Sequence, residues 1–367
     1  MISSLYVHIP FCNHICSYCD FCKMFYDDKI CDKYIDVLLD ELSKLNISHK
    51  LKTIYIGGGT PSSLTVNQLE RILSNLYGYL DVEYEFTVEV NPDSLDENKV
   101  KVFSKYGVNR VSIGVQTFNG DILKFLNRNH SYEDVKRCVD ILNKYNITNY
   151  SFDFIYGIKG QSFQILDEDL KKAIELGPKH LSFYSLILED NTLLKINKYK
   201  EEDEDEVRNQ YDFVYSKLKE NGYYRYEVSN FSLEGYESKH NLVYWNNEEY
   251  YAIGVASSSY IDGVRYTTNR NISKYIQGDI NKESYEVEKE KEYIMLKLRL
   301  DKGINLNEYK SIFYDDFLLK YRSVVEELLE KELVEIKNDN FKTTYEGMML
   351  LDTILVKLMW GDENQWI

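Results

Sequence analysis

The sequence predicts an α/β fold: a partial (β/α)6 barrel followed by a small α+β, winged-helix-like C-terminal domain. Three observations carry this expectation. Six short β-rich runs recur through the first half of the chain, each followed by a longer stretch with helical apolar spacing. Strand and helix in alternation favour parallel strands joined by right-handed crossovers. Beyond them the pattern weakens, then turns helical again near the C-terminus, which separates a second domain from the barrel. Finally, no stretch approaches about 18 uninterrupted apolar residues, so nothing reads as a membrane span, and 367 residues accommodate two or three domains.

The six strands are expected at Leu5–Ile9, Thr53–Ile56, Glu85–Val90, Arg110–Val115, Tyr150–Ile155 and His180–Leu186. Between them, Tyr34, Val37, Leu38 and Leu42 fall on one helical face, as do Leu69, Ile72, Leu73 and Leu76, the spacing of helices that bury one side. In barrels of this kind chemistry collects at the C-terminal strand ends. The acidic run Glu201–Glu206 reads as the solvated start of a helix. Residues 1–225 would form the barrel. Residues 226–285 mix short strands, turns and aromatics and read as a connecting β-rich region. Residues 286–367 would form the C-terminal domain, with helical spacing at Tyr293, Leu296 and Leu300, then Leu318, Val325 and Leu328, a strand at Leu333–Ile336 and a last helix at Met348–Leu358.

A net charge of −16 argues against nucleic acid as a partner, since phosphate binding needs clustered Lys and Arg. Residues Met1 to Ile9 hold no basic segment followed by a long apolar one, so no secretory signal is expected and the chain reads as cytoplasmic. Of six cysteines, Cys12, Cys16, Cys19 and Cys22 fall within eleven residues, with Cys31 and Cys138 elsewhere. Without a signal, that clustering points to metal or redox chemistry over disulfides.

Cys12-x3-Cys16-x2-Cys19 lies directly after the first strand. Three thiolates can ligate three irons of a cubane [4Fe–4S] cluster and leave the fourth iron open. A structural zinc site is the bland alternative, but zinc ribbons and fingers want a second paired cluster downstream. Cys22 keeps a four-thiolate, closed cluster open as a third possibility. Other candidates stand at or past strand ends: the turn Gly57-Gly58-Gly59-Thr60-Pro61, where absent side chains let a ligand approach backbone, and Glu89, Gln116, Arg128 and Asp153. A buried carboxylate such as Glu89 requires a partner. Each alone is more often a cap or salt-bridge residue.

The run Tyr6-Val7-His8-Ile9-Pro10-Phe11-Cys12, then Cys16, Tyr18-Cys19 and Cys22, resembles the cluster loop of radical S-adenosylmethionine (SAM) proteins, in the coproporphyrinogen-oxidase-like branch. The resemblance implies a [4Fe–4S] cluster on Cys12, Cys16 and Cys19 and leaves Cys22 out, because Cys22 sits one residue beyond the family's fourth cysteine. It also implies SAM binding by Tyr6, Gly58, Gly59, Thr60, Glu89, Gln116, Arg128 and Asp153, with reductive cleavage of SAM to a 5′-deoxyadenosyl radical and an electron donor for the cluster.

His240-Asn241-Leu242-Val243-Tyr244-Trp245 holds the last histidine of the chain. A lone histidine is more often simply hydrogen-bonded, yet one flanked by Tyr and Trp suits an axial position above an apolar slot for a flat macrocycle. The H-N-x-x-Y-W segment resembles the haem-binding segment of the HemW group of haem chaperones, which implies that His240 engages haem. The oxidases of the branch carry an extension before the cluster strand, and only five residues precede Tyr6 here. The expectation is therefore a haem chaperone passing haem to acceptor haemoproteins, membrane-associated ones included. An oxygen-independent coproporphyrinogen III oxidase comes second, and a cluster or electron carrier without SAM chemistry third.

Overall fold

The computed structural model describes residues 1–360; residues 361–367, the end of the expected C-terminal domain, lie outside the described residues. The chain divides into two compact units. One comprises 1–224, 229–240 and 249–285; the other comprises 225–228, 241–248 and the chain from Glu286. The connecting region thus contributes short pieces to the second unit while most of it belongs to the first. Among the described residues no helix is long and apolar enough to cross a membrane.

In the first unit the six expected strands are present: β1 (Ser4–Ile9), β2 (Leu51–Gly58), β3 (Leu80–Val90), β4 (Arg110–Gln116), β5 (Asn149–Tyr156) and β6 (His180–Ser185). All are parallel to their sequence neighbours. Further strands extend the sheet, among them β7 (Asn230–Ser232), antiparallel to β6, and β8 (Tyr251–Ile253), parallel to β1. The order β8-β1-β2-β3-β4-β5-β6-β7 never closes on itself, the partial barrel that the alternation predicted. β2 and β3 run past the apolar runs visible in sequence, and their first residues, Leu51 and Leu80, pair with each other and are buried.

Side chains alternate along every strand. Leu5, Val7 and Ile9, Ile54 and Ile56, Phe86 and Val88, Val111 and Ile113, Phe152 and Phe154 are buried beneath the crossover helices. Their neighbours Ser4, Tyr6, His8, Thr53, Tyr55, Thr87, Glu89, Arg110, Ser112 and Asp153 alternate with them and form a polar lumen. Helices 28–44, 66–77 and 132–144 each start on a side-chain cap: Asp27 accepts from the Ile30 N–H, and Thr65 with Gln68 and Ser131 with Asp134 form reciprocal capping boxes. The acidic run opens the helix Glu204–Glu220, capped by Asp203.

The second unit packs Tyr293, Ile294, Tyr309, Phe317, Leu328, Phe341 and Ile354 into one core, covered by helices and a small antiparallel sheet of Ile304–Asn305, Val334–Lys337 and Asn340–Thr343.

Candidate functional site

The cysteine loop leaves β1 and is anchored from its far side. Ser17 donates from its backbone to the Leu126 carbonyl (3.1 Å) and from its hydroxyl to that of Phe125 (3.0 Å), and the Asn127 amide reaches the Ile15 carbonyl at 2.7 Å. The glycine turn after β2 is tied to the loop's entrance, with the Gly59 N–H donating to the Ile9 carbonyl and the Thr60 N–H to that of Phe11, both at 2.8 Å. Gly58 has φ +113, and a Cβ there would stand 2.5 Å from the His8 ring; one at Gly59 would stand 3.0 Å from Cys12 Sγ. The turn thus lies directly against the thiol.

A continuous set of hydrogen bonds joins two of the cysteines. The Thr60 hydroxyl donates to Cys12 Sγ (3.5 Å), the Asn91 amide donates to Thr60 Oγ1 (3.1 Å), and the Arg128 guanidinium reaches Asn91 Oδ1 (3.0 Å), Cys16 Sγ (3.5 Å) and the Gly114 carbonyl. Gln116 ends β4 at a bulge with φ +65, a left-handed conformation that costs free energy in a non-glycine residue and concentrates at functional sites. A Cβ on Gly114 would crowd both Gln116 Nε2 and the Arg128 guanidinium.

Deeper in the lumen, Tyr6 stacks on Tyr55, whose hydroxyl donates to Glu89 Oε1 at 2.7 Å, and the Gly58 N–H donates to Glu89 Oε2 at 3.1 Å. Burial pushes the Glu89 carboxyl up to about 7, partly offset by the Tyr55 hydrogen bond. Asp153 accepts from Ser112 (2.8 Å) and Ser182 (2.7 Å), and burial raises its carboxyl too.

The thiols suit a metal centre. Burial pushes Cys12 up to about 11 and raises Cys19, each further raised by its neighbouring cysteines, so a bound centre's positive charge is what would hold them as thiolates at neutral pH. Among the described residues no three His, Cys, Asp or Glu side chains converge as a single-ion cage; cluster thiolates bind separate irons and need no such convergence.

The structure therefore brings Cys12, Cys16, Cys19, Tyr6, Gly58, Gly59, Thr60, Glu89, Gln116, Arg128 and Asp153 to the C-terminal end and upper lumen of one barrel. Three participants were not singled out from sequence: His8, bridging Tyr6 (3.1 Å) and the Cys22 carbonyl (3.1 Å), Tyr55, and Asn91. Strand alternation signals the first two, since both share a face with Tyr6 or Glu89.

The structure seats His240 at the start of helix Lys239–Trp245, beside β2. Its side chain is fully buried (0% exposed), Nδ1 lies 2.7 Å from Thr53 Oγ1, and the ring stacks on Tyr55 at 5.2 Å. The backbone N–H groups of Lys239 and His240 donate to Glu85, which seats the start of helix Lys239–Trp245 against the barrel, and burial lowers the imidazole to about 3. Its helix carries it inward, a direction that flanking Tyr and Trp do not reveal.

A parallel partial barrel with a three-thiol loop and a glycine turn at its C-terminal end defines a radical SAM protein. Residues 6–176 match the family model of the Radical SAM superfamily and residues 288–350 that of the HemN C-terminal domain. The chain is 39% identical to a protein of Lactococcus lactis named "Heme chaperone HemW" over 99% of this chain and 98% of the relative. Proteins of the same name from Bacillus subtilis and Escherichia coli are 35% and 30% identical, over 95% and 96% of this chain and 97% of each relative. The chain belongs to the HemW family. Its fold is that of the Escherichia coli coproporphyrinogen III oxidase HemN, with a TM-score of 0.85 at 20% identity over 97% of this chain and 89% of that one. Membership of the radical SAM superfamily implies a [4Fe–4S] cluster and SAM.

Proposed function

We propose that this protein is a haem chaperone, binding haem and passing it to acceptor haemoproteins, some of them membrane-associated, while carrying a SAM-bound [4Fe–4S] cluster. The observation that carries this reading is full-length similarity, at 39% identity, to a relative named as a heme chaperone. Cys12, Cys16 and Cys19 would hold the cluster. Thr60 and Arg128 donate toward the Cys12 and Cys16 sulfurs, a placement that tunes such centres. The glycine turn presents backbone to the amino-acid end of SAM; Glu89 and Asp153 supply acceptors, and Gln116, Arg128 and Tyr6 line the remaining walls. The cluster, when bound and reduced, supplies an electron to SAM, and that requires an electron donor in the cytoplasm.

In this reading His240, first residue of the H-N-x-x-Y-W segment, would engage haem.

The test is anaerobic cluster reconstitution followed by haem titration, transfer to an apo-haemoprotein, and incubation with coproporphyrinogen III, SAM and reductant. Stoichiometric haem binding and transfer without decarboxylation is the expected result. Multiple-turnover decarboxylation would overturn it in favour of the oxidase.

A further inference from the structure

β4 delivers Gln116 through a turn that would not persist unaided. The Thr117 N–H donates to the Val115 carbonyl at 2.8 Å, a bond spanning a single residue, and that residue, Gln116, has φ +65. This is the γ-turn of positive φ, a rare and strained form of backbone. It turns the Gln116 side chain back over Gly114, where a Cβ would stand 3.0 Å from Gln116 Nε2, 3.1 Å from the Arg128 guanidinium and 3.3 Å from Asn91 Oδ1. Three polar side chains from separate parts of the chain thus meet at one point, and Arg128 reaches from there to Cys16 Sγ.

The turn is gripped on both sides. Upstream, Arg128 donates to the Gly114 carbonyl and His130 Nε2 to that of Val115 at 2.9 Å. Downstream, the polar grip comes from Asp169 in helix Phe163–Leu176. Its Oδ2 accepts from the Thr117 hydroxyl at 2.7 Å and its Oδ1 from the Phe118 N–H at 2.6 Å.

The residue type carries information. Asp169 is 2% exposed, and burial pushes its carboxyl up to about 6, because a buried charge is costly. An apolar side chain would serve packing alone at less cost. A carboxylate accepts with both oxygens, and the two donors here belong to consecutive residues just past Gln116; asparagine would set an NH2 group against one of them. The helix Phe163–Leu176 carries no residue of the expected SAM set, so Asp169 reaches that site only through this turn.

We propose that Asp169 is a positioning residue for SAM binding: by gripping Thr117 and Phe118 it fixes the strained turn that directs the Gln116 amide into the SAM site. This rests on the assignment of Gln116 to that site in the reading above.

The test uses the full-length, cluster-reconstituted protein and measures SAM affinity anaerobically by equilibrium dialysis, with iron content and thermal melts reporting loading and folding. Gln116→Ala and Asp169→Asn are each expected to weaken SAM binding about fivefold to tenfold, the scale of one lost hydrogen bond. The double variant is expected to bind within about twofold of Gln116→Ala alone, since a side chain already absent cannot be misdirected. Thr117→Val, which removes one of the two bonds to Asp169, should give a smaller loss, and Thr117→Ser should keep wild-type affinity; this pair decides the matter if Asp169→Asn does not fold or load. Wild-type affinity in Asp169→Asn or in Thr117→Val overturns the proposal. So does a double variant whose loss is the product of the two single losses, the mark of a structural role independent of Gln116. Wild-type affinity in Gln116→Ala overturns the assignment of Gln116 and the positioning role with it, and a loaded wild-type chain that binds no SAM overturns the SAM-bound reading as a whole.

Discussion

Glu89 is where burial and ligand binding oppose each other. Its carboxyl titrates at about 7 in the folded chain against 4.5 for an unperturbed glutamate. Below pH 4.5 the group is protonated in both folded and unfolded states and costs nothing. As pH rises through about 7 the unfolded state is ionised first, and the stability of the protonated, buried form is lost. At about 1.4 kcal/mol per unit, the span corresponds to an upper bound of about 3.4 kcal/mol by pH 8, and with the side chain partly open to the lumen about 1–3 kcal/mol is expected. Glu89→Gln removes the titration and keeps one acceptor oxygen, for the Tyr55 hydroxyl or for the Gly58 N–H. The assay is urea unfolding of the metal-free chain, wild type and variant, from pH 5 to 8.5. The variant should gain about 1–3 kcal/mol relative to wild type across that range. The buried histidines His8, His130, His180 and His240, all lowered, act in both proteins and cancel in the difference. The same substitution should weaken SAM binding to the cluster-loaded protein about tenfold, because the ionised carboxylate is the stronger acceptor. A wild-type-minus-variant difference that is flat with pH would refute the burial reasoning.

Replacing Cys12, Cys16 or Cys19 by Ala should each reduce reconstituted iron from about four atoms per chain to below one, by colorimetric iron and sulfide analysis, whereas Cys22→Ala should retain the full complement, as expected for three cluster thiolates. Gly58→Ala should destabilise the chain by about 2 kcal/mol or more in chemical denaturation, since it forces a side chain into φ +113 and against the His8 ring; a change below 0.5 kcal/mol would show that the turn relaxes freely.

Much of the site was legible because its chemistry is local. The cysteine spacing, the Gly57–Pro61 turn and the polar residues at strand ends are each carried by a few consecutive residues, and βα alternation places them at one end of a parallel sheet. Asn91 was visible in the same strand-end segment as Glu89, yet its bridging of Thr60 and Arg128 depends on three separate elements meeting. Short strands were expected between 226 and 285, but the positions and pairing of β7 and β8 were not, because three residues pairing with distant partners leave no periodicity of their own.

His240 and Cys22 mark the boundary most clearly. Sequence determined the six βα units, the thiol loop and the second, helical unit, because hydrophobic period and residue spacing are properties of contiguous chain. Which way an isolated side chain points is not. The docking of helix Lys239–Trp245 on Glu85 turned His240 into the barrel, and the approach of Arg270 across nearly 250 residues gave the Cys22 sulfur a carbonyl partner. Both outcomes follow from long-range packing, which the tertiary structure alone decides.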